Sequence, residues 1–234
     1  MDWQAACAAV IPCLNEAAAI GPLVQAIGRH VPTIFVVNDG SVDGTASVAK
    51  GAGAIVLNHE TTLGKGRALK TGWAHAHHQG YRWALALDGD GQHSPEDIPS
   101  FFHCAEIRSA SLVVGNRMDE ASRIPLVRRW VNRWMSWQIS ALSGRDLPDS
   151  QCGFRLMNLM DWAHLHIQAS HFEIESEVLF SFARAGLGIE FVPIHVIYKQ
   201  ERSKIHPWRD TRRWLRWRRN ARRNLKTFKS GPAN

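Results

Sequence analysis

Trp83-Ala84-Leu85-Ala86-Leu87-Asp88-Gly89-Asp90-Gly91-Gln92 is an apolar run that breaks into two carboxylates one residue apart. Five apolar residues followed at once by glycine-spaced acids read as a buried strand reaching its end, the edge at which an α/β sheet binds ligands. In extended backbone alternate side chains share a side, so Asp88 and Asp90 point the same way, while Gly89 and Gly91 let a ligand approach the backbone. Two carboxylates with Gln92 as a third oxygen donor suit a hard divalent cation, Mg²⁺ or Mn²⁺, of the kind that meets substrate phosphates. A solvated acidic turn would have the same local sequence, so the neighbouring segments must decide.

Upstream, strand-like and helix-like runs alternate at short spacing. Ala8 to Pro12 reads as a strand, and Ala17 to Ile27 as a helix with Asn15 as its cap. Thr33 to Val37 is a second β-rich run, ending in Asn38-Asp39-Gly40-Ser41; Gly53 to Leu57 is a third, and Lys65 to Gln79 a longer helix. This order predicts an α/β fold with a mostly parallel sheet and helices on both faces. Downstream, Ser94-Pro95 predicts a helix entry, Ser111 to Gly115 a buried strand, and Ile189 to Ile194 an edge strand that tolerates Pro193. Arg123 to Leu142 reads as a helix on which Trp130, Trp134, Met135 and Trp137 form an apolar face, assigned here to the core.

The chain has 234 residues, enough for one large domain and a tail, and its net charge of +7 is unevenly placed. Residues 202 to 229 hold twelve Lys or Arg against Asp210 alone, a net +11, which leaves −4 for the rest. A mildly acidic body with a cationic C-terminal segment points to an anionic partner surface. No run of about eighteen apolar residues occurs, and the N-terminal sequence lacks the pattern of a signal peptide, so the expectation is a cytoplasmic protein. Cys7, Cys13, Cys104 and Cys152 form no C-x-x-C pair, which argues against a zinc site or a disulfide framework.

Four polar strand ends now stand in order: Pro12-Cys13-Leu14-Asn15-Glu16, Asn38 to Thr45, Lys65-Gly66 and Asp88-Gly89-Asp90. Together they resemble the nucleotide-sugar half of an inverting family 2 glycosyltransferase of the GT-A, Rossmann-like fold, over residues 8 to 205. Gly115-Asn116-Arg117, Asp149 to Arg155 and Arg202-Ser203-Lys204 bring the likeness nearest to the dolichyl- and polyprenyl-phosphate mannose or glucose synthases.

The resemblance implies a role for each matching residue. Pro12, Leu14, Glu16, Val37 and Asp39 would line the nucleoside, although Leu14 stands where the synthases often carry an aromatic, and Asn38 where an aspartate commonly precedes Asp39. Lys65, Arg117, Arg129 or its neighbour Arg128, Arg202 and Lys204 would face phosphate, the last two on a loop suited to closing over the diphosphate. Asp88, Asp90 and Gln92 would hold Mg²⁺ or Mn²⁺ on the donor, with Gly89 giving access, and Asp90 and Arg117 would act directly on the reacting diphosphate. A lipid-phosphate acceptor is already ionised and needs no base, whereas a hydroxyl does. Glu173, Glu175 and Glu177 are the candidates for that base, and Glu177 fits the family's acidic position at the head of its helix. A capping carboxylate remains the alternative.

The expected division is a glycosyltransferase domain over 1–205 and a tail over 206–234. In the tail Trp214, Trp217, Ala221, Leu225 and Phe228 recur at helical spacing among arginines. This pattern reads as a basic amphipathic helix with interfacial tryptophans, lying on an anionic bilayer at the cytoplasmic face of the membrane. The competing partner for this arginine-rich segment is nucleic acid, and the reading of another class is a catalytically idle membrane- or RNA-binding module on the same fold.

Overall fold

The computed structural model describes residues 1–118, 126–197 and 207–229, excluding the side chains of 126–128, 207–208 and 224–229. Arg202 and Lys204, and the side chain of Arg128, lie outside the described residues. Helix α1 (Trp3–Ala6) leads into β1 (Cys7–Cys13), followed by α2 (Ala17–Ile27), β2 (Ile34–Asn38), α3 (Thr45–Gly51), β3 (Ile55–Asn58), α4 (Lys65–His78) and β4 (Trp83–Ala86). A 3₁₀ turn (Pro95–Asp97) opens α5 (Ile98–Arg108); then come β5 (Leu112–Asn116), α6 (Leu126–Ser143), β6 (Arg155–Asn158), α7 (Leu159–Ala163), α8 (Ile174–Arg184), β7 (Ile189–Pro193) and α9 (Pro207–Lys229).

The strands form one sheet in the order β3-β2-β1-β4-β6-β5-β7. Only β6 runs against its neighbours, pairing antiparallel with both β4 and β5. The expected mostly parallel α/β sheet is therefore present. β1 is central because it is apolar without alternation: Cys7, Ala8, Ala9, Val10 and Ile11 have no exposed surface, as a strand covered on both faces requires. Its register sets Cys13 beside Asn38 and Val10 beside Ala86, which aligns the C-terminal ends of β1, β2 and β4 along one edge. β6 went unread in the sequence. Its four residues begin with the buried Arg155, whose guanidinium donates to the carbonyls of Cys152, Ser150 and Glu175, and so ties the loop before β6 to the head of α8.

Two expected caps differ. The N-cap of α2 is Glu16, not Asn15; Asn15 takes a left-handed φ of 54° and its side chain instead accepts from Val42 N. Ser94 makes no side-chain cap bond, and the chain passes through the 3₁₀ turn before α5 begins.

α6 and α9 hold the larger corrections. α6 packs Ser136 and Ile139 inward and leaves Trp130 75%, Trp134 43% and Trp137 64% exposed, so the tryptophan face assigned to the core points outward. α9 does the reverse. Trp214 is 3% exposed, donates from Nε1 to Ser176 Oγ of α8 at 2.9 Å, and joins Ala221 in the main core, while Arg209, Arg212, Arg216 and Arg219 face out. Trp214 and Trp217 thus do not form the outer face of the tail: burying an indole against α8 removes far more apolar surface than an arginine stem could. Packing crosses the expected boundary at 205/206.

Candidate active site

The aligned ends of β1, β2 and β4 carry the first half of the site. Gly89 lies so close to β1 that an added Cβ would sit 2.6 Å from Cys13 Sγ and 3.4 Å from Glu16 Cγ. Glycine there is what lets the Asp88–Asp90 turn close onto the β1–α2 loop. That loop is tied in turn to the loop after β2: Asn15 N donates to Ser41 Oγ, Glu16 N to Thr45 Oγ1 and Ala17 N to Asp43 Oδ2, with Thr45 also hydrogen-bonded to Asp43. Pro12, Leu14 and Glu16 are half-buried along this seam. Val37, expected beside the nucleoside, is fully buried in β2 under α4, so its side chain belongs to the core.

Asp39 is held from three directions. Its carboxylate accepts from Leu63 N at 2.9 Å and Gly64 N at 2.8 Å, and pairs with His59 Nδ1 at 2.7 Å, whose Nε2 meets Thr71 Oγ1. Asp39 therefore anchors the loop that leads into α4 and places Lys65 at that helix's first position.

Lys65 is the centre of the site. Its ammonium lies 2.6 Å from Asp88 Oδ1 and 2.6 Å from Glu175 Oε1, and 5.7 Å from the centroid of the Phe172 ring. Burial disfavours the free charges, but the two carboxylates overcome it and hold the lysine pKa well above its ordinary value. Burial likewise tends to raise Asp88; Lys65 outweighs it, with help from the charge of Arg117, and takes Asp88 down to about 2. Glu175 approaches Lys65 without the alignment of a hydrogen bond, and neither of its buried carboxylate oxygens has an aligned donor. The charge of Lys65 holds the carboxylate in place. Gly153 completes the enclosure, since a Cβ there would stand 2.7 Å from both Asp88 oxygens.

Asp90 and Gln92, the donors after Asp88, are placed by a turn. Asp90 Oδ1 accepts from Gln92 N at 3.0 Å, and Gln92 O accepts from Ile197 N. His93, unmarked in the sequence reading, is buried behind Asp88, accepts weakly on Nδ1 from Asp88 N at 3.5 Å, and has its pKa lowered to about 4 chiefly by burial. It is neutral at pH 7.

Arg117, at the end of β5, forms a two-pronged pair with the fully buried Asp149: Nε to Oδ2 and an Nη to Oδ1, both 2.8 Å, with Arg117 N adding a third bond. Such a fork fixes the guanidinium in one orientation. Glu177 is engaged elsewhere. Its Oε2 accepts from Gln168 N at 3.1 Å and Ala169 N at 2.5 Å, so of the three candidate glutamates it is Glu175 that the structure brings to Asp88.

Beside the Arg117–Asp149 pair, a cavity of about 420 Å³ opens between the Asp146-Leu147-Pro148 segment and α6. Arg129 and Arg133 line it together with Trp137 and Leu147. Arg129 thus stands apart from the Asp88 cluster. Arg133, its neighbour one turn on, was missed in the sequence; the i,i+4 spacing of two arginines on a helix was the available signal.

A mostly parallel sheet, with acids and cations gathered at the ends of β1, β2, β4 and β5, is the arrangement of a GT-A glycosyltransferase fold. The chain matches the profile of Glycosyl transferase family 2 over residues 8–160. It is 30% identical over 214 residues to the UDP-N-acetylglucosamine–dolichyl-phosphate N-acetylglucosaminyltransferase of Methanococcus voltae, covering 82% of this chain and 85% of that one. Identity to the undecaprenyl-phosphate mannosyltransferase of Micrococcus luteus is 26% over 204 residues, covering 82% of this chain and 83% of that one. Among solved structures, glucosyl-3-phosphoglycerate synthase of Mycobacterium tuberculosis, in complex with Mn²⁺, UDP-glucose and phosphoglyceric acid, superimposes with a TM-score of 0.68 at 21% identity, over 87% of this chain and 76% of that one. The protein belongs to glycosyltransferase family 2.

Proposed function

We propose that this enzyme transfers a hexose, with inversion, from a nucleoside diphosphate sugar of the GDP-mannose or UDP-glucose type to a polyprenyl phosphate at a membrane surface. The observation that carries this reading is the cavity beside Arg117, where Arg129 and Arg133 stand with Trp137 and Leu147. Two guanidinium groups at an apolar wall suit an ionised phosphate followed by a hydrocarbon chain. Relatives whose names specify dolichyl or undecaprenyl phosphate support the same acceptor class.

In the proposed reaction an oxygen of the acceptor phosphate attacks the anomeric carbon, the bond from that carbon to the donor diphosphate breaks, and the nucleoside diphosphate leaves with the electron pair. No proton need be removed. Glu16 and the β1–α2 seam are suited to hold the nucleoside, and Arg117, locked by Asp149, to face the diphosphate. Asp88, Asp90 and Gln92 form an oxygen-only donor set, and Glu175 Oε2, buried without a hydrogen-bond partner while Oε1 faces Lys65, adds to the fit for a cation. Bound there, Mg²⁺ or Mn²⁺ would stabilise the charge of the leaving diphosphate. A hydroxyl acceptor is the second reading, favoured by one feature only: Glu175 stands in the cluster as a possible base.

The test is transfer from radiolabelled UDP-glucose and GDP-mannose to undecaprenyl phosphate, with and without Mn²⁺, alongside 3-phosphoglycerate and a glycolipid hydroxyl as competing acceptors. Label in the polyprenyl phosphate fraction, lost with EDTA, is expected. Label only in phosphoglycerate or the glycolipid would overturn the acceptor assignment.

A further inference from the structure

Three tryptophans on the outward face of a helix are unusual enough to need a partner, since large exposed apolar patches on a soluble protein mark interaction sites. On α6, Trp130, Trp134 and Trp137 recur at spacings of four and three, so they form a single stripe, and Val131 is 45% exposed beside it. The opposite face is the one that packs, through Ser136 and Ile139. α6 carries no Asp or Glu, and Arg129 and Arg133 flank the stripe. Trp134 also lies 5.4 Å, centroid to centroid, from Trp214 of α9, so the stripe adjoins the helix with the strongest positive charge in the chain. Over its 23 residues α9 has ten Lys or Arg and one acid, and that acid, Asp210, is already paired with Arg213 at 3.3 Å.

We propose that α6 and α9 together form a docking surface for an anionic lipid bilayer, in which the α6 tryptophans enter the interfacial layer and the outward arginines of α9 neutralise headgroups. Indole rings have an apolar body and one N–H donor, which suits the boundary between acyl chains and headgroups. Guanidinium groups suit the phosphates above it. The assignment divides the two tasks between helices: α9 spends its own Trp214 on the core and keeps charge outside, and α6 supplies the insertion that α9 does not. Arg129 and Trp137 also line the cavity beside Arg117, so docking in this orientation would open that cavity toward the membrane. The inference deepens the reading of a membrane-held acceptor and can fail independently of it, because binding can be measured on vesicles that contain no acceptor.

The experiment uses the full chain with vesicles of one part phosphatidylglycerol to two parts phosphatidylcholine, free of polyprenyl phosphate. Flotation is read together with quenching of tryptophan fluorescence by brominated acyl chains. The intact protein should float and be quenched, and raising salt should weaken but not abolish binding. The Trp130→Ser, Val131→Ser double variant changes only exposed side chains; it should keep its Tm and its donor hydrolysis while its vesicle partition coefficient falls at least tenfold. Arg212→Gln with Arg216→Gln should reduce binding to the anionic vesicles and leave the weak binding to pure phosphatidylcholine unchanged. Undiminished flotation of the tryptophan variant would overturn the proposal. So would a dimer in light scattering that the same variant dissociates, which would make the stripe a contact between copies, or salt-sensitive RNA binding without flotation.

Discussion

Lys65 Nζ lies 2.6 Å from Asp88 Oδ1, so the first carboxylate of the Asp-Gly-Asp turn is neutralised by a lysine from the head of α4. The same ammonium also faces Glu175, and one positive charge thus holds together two acids that would otherwise repel each other. Replacing the lysine should release them for a different cation. Lys65→Ala is expected to lower the Tm by several degrees, to raise the Asp88 pKa from about 2, and to tighten donor-free Mn²⁺ binding at least tenfold while reducing transfer. Titration calorimetry with Mn²⁺ alone checks this. Unchanged affinity would mean that the cation binds away from Asp88 and Glu175.

Glu175 and Glu177 are only two residues apart, yet they do different things. On a helix residues i and i+2 point about 200° apart, so once Glu175 faces Lys65, Glu177 must turn away, to Gln168 N and Ala169 N. Glu177→Gln should therefore act on stability, costing about 1–2 kcal/mol because a charge-assisted acceptor of two backbone N–H groups is lost. Glu175→Gln should leave the Tm nearly unchanged and alter the kinetics instead. With a phosphate acceptor the fall in kcat should stay below about tenfold, whereas a general base for a hydroxyl acceptor would cost about 10²-fold or more. Thermal melts and kcat measured side by side distinguish the two roles.

How much of this was legible in the sequence depended on whether the signal was local. The strand ending at Asp88 was legible because its apolar run, its glycines and its paired acids all sit within ten residues. Crossings between distant segments were not. Nothing local announces that Arg155 begins a strand running against its neighbours, because its charge is satisfied by three carbonyls from Ser150, Cys152 and Glu175. Periodicity found the apolar stripe of α6 and the amphipathic pattern of α9, but it cannot say which face meets the body. On α6 the inward face is built from modest residues such as Ser136, and on α9 Trp214 and Trp217 turn in. The choice between Glu175 and Glu177 likewise depended on helix phase, which the alternation in His171 to Glu177 left open.

Asp149 is fully buried, and Arg117 holds its pKa below the ordinary aspartate value against the opposing effect of burial. A depressed carboxylate pKa means that the unfolded state binds the proton more tightly. The pair's contribution to stability is therefore complete above the unfolded aspartate pKa of about 4, and it is lost as pH falls below that. Asp149→Asn should remove this dependence and leave the guanidinium without its counter-charge, at about 3–5 kcal/mol near neutral pH. Urea melts at pH 7 and pH 3 give the result: the gap between wild type and variant should narrow in acid. A gap that stays constant would show that the loss comes from packing and not from charge.

Trp214 is the point at which the basic C-terminal helix joins the enzyme. Its indole N–H reaches Ser176 Oγ, which also accepts from Gln151 Nε2 at 2.8 Å, so one hydroxyl links α9, α8 and the segment that carries Asp149. Trp214→Ala should cost about 3–5 kcal/mol, the range for deleting a buried aromatic, and it leaves Ser176 with one donor fewer. Because Glu175 precedes Ser176 in α8, the loss should extend to the site. Trp214→Phe keeps most of the buried surface but lacks the N–H; it should recover most of the stability, but with transfer still impaired relative to wild type. Tm and kcat/KM measured on both variants decide the matter. Full recovery of transfer in Trp214→Phe would confine Trp214 to packing, and a wild-type Tm in Trp214→Ala would mean that α9 does not rest on the body as described.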